Sequence, residues 1–207
     1  MKNILYSLAL AGAFFATGCQ DAAVEQQEPA KTKATAGASS PTLSDLSIYH
    51  LGSTWKNQKQ ETVELEELKG KPVLVAMVYT SCAFACPRTL ADLQRIEKGL
   101  TRFATEDFRI VLVSIDPVRD TPAQLAKFTA EHDLDQNRWT LLTAPEETTQ
   151  ELAAVLNVKY RKALNGEFAH SNLITVLNAQ GEIVHQQQGL GAAPEETITV
   201  MKSLLTN

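Results

Sequence analysis

The chain has 207 residues, 44% of them apolar and 21% charged, an ordinary globular usage that excludes wholesale disorder and a polytopic membrane protein. That length holds one domain plus a tail and excludes a large multidomain machine. Its 19 basic and 24 acidic residues leave a net charge of −5 with no Lys/Arg cluster to track phosphates, which argues against nucleic acid as a partner.

Residues 1–18 begin Met1-Lys2, run apolar from Ile4 to Ala16 and end in small residues ahead of Cys19. A positive start, a short apolar stretch and small residues before a cleavage point describe a secretory signal, and the run is short for a bilayer span. Ala16-Thr17-Gly18-Cys19 resembles the bacterial lipobox, with Ala16 where Leu is usual. The resemblance implies lipid on the Cys19 sulfur and α-amino group; the alternative is an ordinary signal peptide that contains a Cys by chance. Three cysteines are an awkward odd number for a secreted disulfide framework, but lipidation of Cys19 leaves two, both in one short motif.

Residues 19–42 are mostly Ala, Gln, Glu, Lys, Thr and Ser, so the segment cannot offset its own ordering entropy and reads as a tether. As a flexible coil it would span ~25 Å on average and ~75 Å fully extended, enough for a domain to sit just above a membrane. The folded domain is expected over 43–207, with Ser47 to Trp55 and Thr62 to Leu65 as an extra hairpin at its edge.

Val73 to Tyr79 and Phe108 to Ser114 are continuous apolar runs, the pattern of parallel strands buried on both faces. Between them Leu90, Leu93, Ile96, Leu100 and Phe103 recur at three and four residues, the stripe of a covering helix that completes a βαβ unit. Thr121-Pro122-Ala123-Gln124 has capping-box spacing with Pro at the first helical position, and Leu125 and Phe128 continue that helix inward. A third helix is expected from near Pro145, burying Leu152, Val155 and Leu156. Leu173 to Leu177 and Glu182 to Gln186 flank Asn178-Ala179-Gln180-Gly181 as an antiparallel hairpin, and Pro194 starts a last helix with Ile198, Met201 and Leu205 on one face. The sum is an α/β fold of thioredoxin-like layout: a central mixed sheet flanked by helices, with an N-terminal edge extension and no second domain or internal repeat.

The chemistry concentrates in Tyr79-Thr80-Ser81-Cys82-Ala83-Phe84-Ala85-Cys86-Pro87, where strand gives way to helix. The positive end of a helix favours thiolate over thiol, and at an ordinary pKa only about 3% of a Cys is ionised at pH 7, so a nucleophile or a metal ligand gains from this position. Residues four apart on a helical turn have Cβ atoms about 5–6 Å apart, wide for a disulfide and suited to a bridging metal. A bent loop would still permit a redox pair, and two merely packed cysteines are the third alternative.

Imidazole beside thiolates suits copper, iron or zinc, which turns attention to the four histidines. His50 in the edge region and His132 near a helix end read as solvated surface, and His185 sits in an outer hairpin strand. His170 differs: it follows the flexible stretch Leu164-Asn165-Gly166 and precedes a buried strand, on a loop that approaches the thiols in a thioredoxin-like layout. A structural or surface role remains open for it on the residues alone.

Three motifs in order, Tyr79-Thr80-Ser81-Cys82 with Cys86-Pro87, then Ser114-Ile115-Asp116-Pro117-Val118-Arg119-Asp120-Thr121-Pro122, then His170-Ser171-Asn172, resemble the Sco/SenC family over about Leu43 to Leu205. The resemblance implies a thioredoxin-like copper chaperone of cytochrome c oxidase maturation. It implies Cys82, Cys86 and His170 as ligands of one copper per chain, Cu(I) or Cu(II), with the cysteines also a redox-active pair. Asp116 and Asp120 match the second motif, where an acidic group would orient or polarise the metal site; the simpler reading makes them a turn and a helix start. The implied partners are a copper-accepting cuproenzyme or its assembly factors, and the membrane through the Cys19 lipid. The implied location is the bacterial cell envelope, with the domain in the periplasm or outside the cytoplasmic membrane. Many relatives carry a Pro and an acidic residue between the cysteines, where this chain has Ala83-Phe84-Ala85, and the loop before His170 is short. The alternative function is a metal-independent thiol-disulfide oxidoreductase or peroxidase-like enzyme using the same dithiol, and behind it a structural or copper-sensing module.

Overall fold

The computed structural model describes residues 43–206; the signal, the tether and Cys19 lie outside the described residues. Nine strands follow in chain order among those residues: β1 (Thr54–Asn57), β2 (Thr62–Glu64), β3 (Val73–Val78), β4 (Arg109–Ser114), β5 (Trp139–Thr143), β6 (Tyr160–Lys162), β7 (Phe168–His170), β8 (Leu173–Leu177) and β9 (Ile183–Gln188). Four α-helices are interspersed: α1 (Ala85–Lys98), α2 (Pro122–Glu131), α3 (Glu146–Val155) and α4 (Glu195–Leu205).

Seven strands form one mixed sheet in the order β2-β1-β5-β4-β3-β8-β9, and β6 and β7 pair only with each other. β3, β4 and β5 run parallel, while β8 runs antiparallel to β3. Every residue of β3 is buried, as its uninterrupted apolar run demands of a strand covered on both faces. The register pairs Val78 with Ser114 and Ala76 with Ile174. One end of the sheet therefore collects three chain segments: those leaving β3 and β4 and the one entering β8. Ligand sites in open α/β sheets form at such carboxyl ends.

The expected fold holds, with local corrections. In the edge extension Ile48–Leu51 is a 3-10 turn capped by the Ser47 hydroxyl, and the hairpin strand facing β2 is Thr54–Asn57 alone. α1 ends at Lys98, so Leu100 and Phe103 belong to the turns beyond it; Leu100 is fully buried and Phe103 only packs on the edge of the core. In α3 the inward row is Thr149, Leu152 and Ala153, continued by Leu156, and this leaves Val155 off that face and 42% exposed. In α4 Met201 is fully buried, whereas Ile198 and Leu205 are partly buried. β5 is a strand missing from the sequence expectations, inserted parallel beside β4 with Trp139 buried.

Candidate metal centre

β3 hands over to α1 through the loop 79–84. The Cys82 N–H turns back to the Tyr79 carbonyl at 3.2 Å, placing Cys82 ahead of the helix and Cys86 in its first turn. The two cysteines thus do not share a helical turn, although their spacing predicts that they would. Phe84 at the N-cap offers no side-chain cap, and the Cys86 N–H points instead at the Cys82 sulfur, 3.4 Å away. The Tyr79 N–H approaches the Cys86 sulfur at 3.3 Å. Both sulfurs therefore face backbone donors, that of Cys82 at the N-terminus of α1, where negative charge is stabilised, and that of Cys86 at the end of β3.

The two thiols differ. Burial alone would push Cys82 up, but hydrogen bonds from the Cys86 and Phe84 backbone, helped by the Tyr79 hydroxyl and the Cys86 side chain, outweigh it and hold this thiol below its ordinary value. Cys86 is 2% exposed, and burial pushes it well up against the Tyr79 N–H, with the negative charges of Cys82 and Asp120 adding to the rise. Both cysteines are free thiols.

His170 ends β7, and its Nε2 lies 3.9 Å from the Cys86 sulfur. Its Nδ1 is 3.0 Å from the Ser171 carbonyl, so a proton on Nδ1 donates there and leaves the Nε2 lone pair turned toward the sulfurs. Burial lowers its pKa, with the Ser171 carbonyl opposing, which favours the neutral imidazole that ligation needs. The ligand atoms of Cys82, Cys86 and His170 all lie within 4.8 Å of one another. Two sulfurs bonded to one metal at about 2.3 Å can be no more than about 4.6 Å apart, so this cluster needs only small shifts to close on an ion.

The other histidines stay away from this cluster. His50 is exposed and bonded to the Ser44 carbonyl, His132 stacks on Phe128 at 4.3 Å, and His185 joins Thr197 at 3.0 Å. Asp116 and Asp120 are both buried and neither belongs to the cluster. Asp120 accepts hydrogen bonds from the Thr80 N–H at 3.0 Å, the Thr80 hydroxyl at 2.6 Å and the Ser114 hydroxyl at 2.6 Å, tying the cysteine loop to the end of β4. Asp116 pairs with Arg119. The capping box expected at Thr121 is half formed: Thr121 Oγ1 accepts from the Gln124 N–H, but the Gln124 amide donates to Thr80 Oγ1 at 3.2 Å.

Several residues around the site carried no role in the sequence. Tyr79 stacks against Phe168 at 5.3 Å and His170 at 6.0 Å, and its hydroxyl donates to Glu167 at 2.8 Å. Arg119 stood in the second motif without a task, and its position beside two aspartates was the available signal. Phe84, between the cysteines in sequence, is 65% exposed, with the Arg88 guanidinium 4.4 Å over its ring.

A family model described as SCO1/SenC matches residues 51–206. A SCO1 protein homolog of Bacillus subtilis (strain 168) is 31% identical over 157 residues, covering 74% of this chain and 81% of that protein. Among solved structures, BsSco, a member of the Sco family of cytochrome c oxidase assembly proteins in which a disulfide switch was identified, superposes with a TM-score of 0.66 at 29% identity over 74% of this chain and 91% of that one. ScoI of Bradyrhizobium japonicum, solved with copper bound, shares the fold with a TM-score of 0.62 at 24% identity over 73% and 96% of the two chains. With its matched segment running from the edge extension through α4, the chain belongs to the SCO1/SenC family.

Proposed function

We infer that this protein is an extracytoplasmic copper carrier that delivers its metal to a cuproenzyme such as cytochrome c oxidase. The observation that carries the reading is the convergence of two thiols and one imidazole, drawn from segments 84 residues apart, within 4.8 Å of one another. Copper is the cargo, and Cys82, Cys86 and His170 would hold it. The donor set fits: soft Cu(I) is satisfied by two thiolates, whereas Cu(II) gains from nitrogen, so one site at the end of a sheet can serve both states. Membership of the SCO1/SenC family and the assembly role stated for BsSco support the same reading. Lipid on Cys19 would hold the carrier at the envelope membrane; among the described residues, no helix is long and apolar enough to cross one.

A second reading rests on the split between the thiols. A partly exposed Cys82 of lowered pKa beside a buried Cys86 is the arrangement of an attacking and a resolving thiol. In that role two electrons and two protons pass from the dithiol to a partner disulfide, which opens as Cys82 and Cys86 join. The readings separate in a copper titration of the full chain, reduced and pre-oxidised. A carrier takes up one copper per reduced chain and none when oxidised; equal uptake in the disulfide form would remove both cysteines from the site.

A further inference from the structure

The turn between β4 and α2 holds the two halves of the site by separate grips. Asp120 holds the cysteine loop through Thr80. Asp116, four residues earlier, holds Arg119 through the guanidinium Nε, and Arg119 reaches across to the hairpin that carries His170. Its Nη2 donates to the Gly166 carbonyl at 2.8 Å, and its Nη1 lies 3.8 Å from the Glu167 carboxylate. The same guanidinium sits 5.7 Å from the Tyr79 ring, whose hydroxyl donates to the other oxygen of Glu167 and receives the Phe168 N–H at 3.4 Å.

The hairpin depends on these contacts. β6 and β7 are three residues each and pair with nothing but each other. An isolated two-stranded hairpin is marginal at best in water, and residues 161–165 of this one are exposed. Tyr160 and Phe168 pack its base against the core and the Ser171 N–H donates to the Lys159 carbonyl, so where His170 stands relative to the thiols depends on these contacts together with what fastens the outer part of the arm to the domain. Tyr79 supplies the buried side of that fastening, and Arg119 supplies the link to the β4–α2 turn.

We propose that Arg119 is a positioning residue that latches the His170 arm over Cys82 and Cys86, and so determines whether the site keeps Cu(II). The inference rests on the copper reading above. Loosening the arm withdraws the one nitrogen donor and leaves both thiolates in place, so the cost falls on Cu(II) and spares Cu(I). Arginine suits the task because its planar fork grips the Asp116 carboxylate and the Gly166 carbonyl at once, which a lysine ammonium cannot reproduce.

The test compares R119Q, R119K and H170A in the full, reduced chain. In R119Q the Cu(II) dissociation constant should rise about tenfold and the thiolate-to-Cu(II) absorption weaken, with Cu(I) affinity, read by chelator competition, within about twofold of the parent. Metal-free R119Q should exchange its amide hydrogens over 162–170 about tenfold faster, while β3 and β4 keep their protection. R119K should fall between R119Q and the parent in both readouts. Unchanged Cu(II) affinity and arm exchange in R119Q, beside a loss of Cu(II) in H170A, would overturn the latch alone. Equal losses of Cu(I) and Cu(II) in both Arg119 variants would also overturn it, because that is damage to the whole fold. Full Cu(II) affinity in H170A would instead sink the copper site itself.

Discussion

The Nε2 of His170 faces the Cys86 sulfur across 3.9 Å, although the imidazole belongs to a small hairpin outside the main sheet and the thiol to the first turn of α1. The approach follows from strand register. β8 runs antiparallel to β3, so the residues just before Leu173 return to the end of the sheet where Val78 passes into the cysteine loop. Cys86 is fixed by helix and core and Cys82 by the loop that leads into α1, whereas the imidazole is held on its hairpin by side chains, and the ligands differ in how easily each can leave.

His170→Ala should therefore divide the two oxidation states of copper. Two thiolates remain for Cu(I), so its affinity should change by less than about threefold. Cu(II) binding should weaken by about a hundredfold or more, with loss of the thiolate-to-copper absorption. Spectroscopic titration of the variant with each ion reads both numbers, and intact Cu(II) binding together with lost thiol-disulfide exchange would favour the oxidoreductase reading.

The thiols should react in a fixed order. Cys82 has a lowered pKa, so at pH 7 its thiolate fraction exceeds the about 3% of an ordinary thiol, and its alkylation rate should rise with an inflection on the low side of the usual Cys range. Cys86 is buried and raised, and should react at least about tenfold more slowly throughout that range. Iodoacetamide labelling followed by peptide mass spectrometry, from pH 6 to pH 9, reports both rates. Cys82→Ser should abolish the fast phase and, by removing the neighbouring negative charge, bring the Cys86 inflection down. A fast phase that survives in Cys82→Ser would reverse the assignment.

The parts of this structure written in local sequence are those with a buried apolar run or a clear start signal. β3 reads as a strand because every one of its side chains is apolar and buried, β4 because Ile110 to Val113 at its centre are, and α2 reads as a helix because Thr121 and Pro122 mark its start. β5 has only five residues, short enough to escape notice although Trp139, Thr140 and Thr143 favour a strand, and its place between β4 and β1 shows only in space. The β6–β7 arm has only three residues a strand, too few to set a period, and the Tyr79 and Arg119 contacts that hold it come from distant segments. The cysteines are legible from their motif; His170 stands apart from the other three histidines by its place before a buried strand, and the family pattern makes it a ligand. Asp120 reads from the sequence as a helix start or as an acidic group that orients the metal site; its burial depends on Ser114 and Thr80 meeting it in space.

Replacing Cys19 by Ser should separate anchoring from binding. The Cys82, Cys86 and His170 cluster lies wholly within residues 43–206, so the variant should fold and take up copper like the parent. Fractionation of cells expressing it should show the protein leaving the membrane fraction, since no lipid would be attached. Persistence in that fraction would refute the lipobox assignment.

Asp120 gives a prediction about the frame around the site. Its carboxylate is fully buried and receives three hydrogen bonds, one from a backbone N–H and two from hydroxyls. Asp120→Ala leaves the Thr80 N–H without its acceptor and opens a small cavity, which should cost about 2–4 kcal/mol in denaturant unfolding. Asp120→Asn should cost about half as much. Its one carbonyl oxygen can still receive the Thr80 N–H and the Ser114 hydroxyl, while its amide can donate to Thr80 Oγ1, because a hydroxyl can turn to accept and a backbone N–H cannot. A cysteine loop that has lost its tie to β4 should also expose Cys86, so alkylation of that thiol should quicken in Asp120→Ala more than in Asp120→Asn. Equal stabilities for the two variants would show that the geometry of the three donors does not matter, and that Asp120 acts through its charge alone.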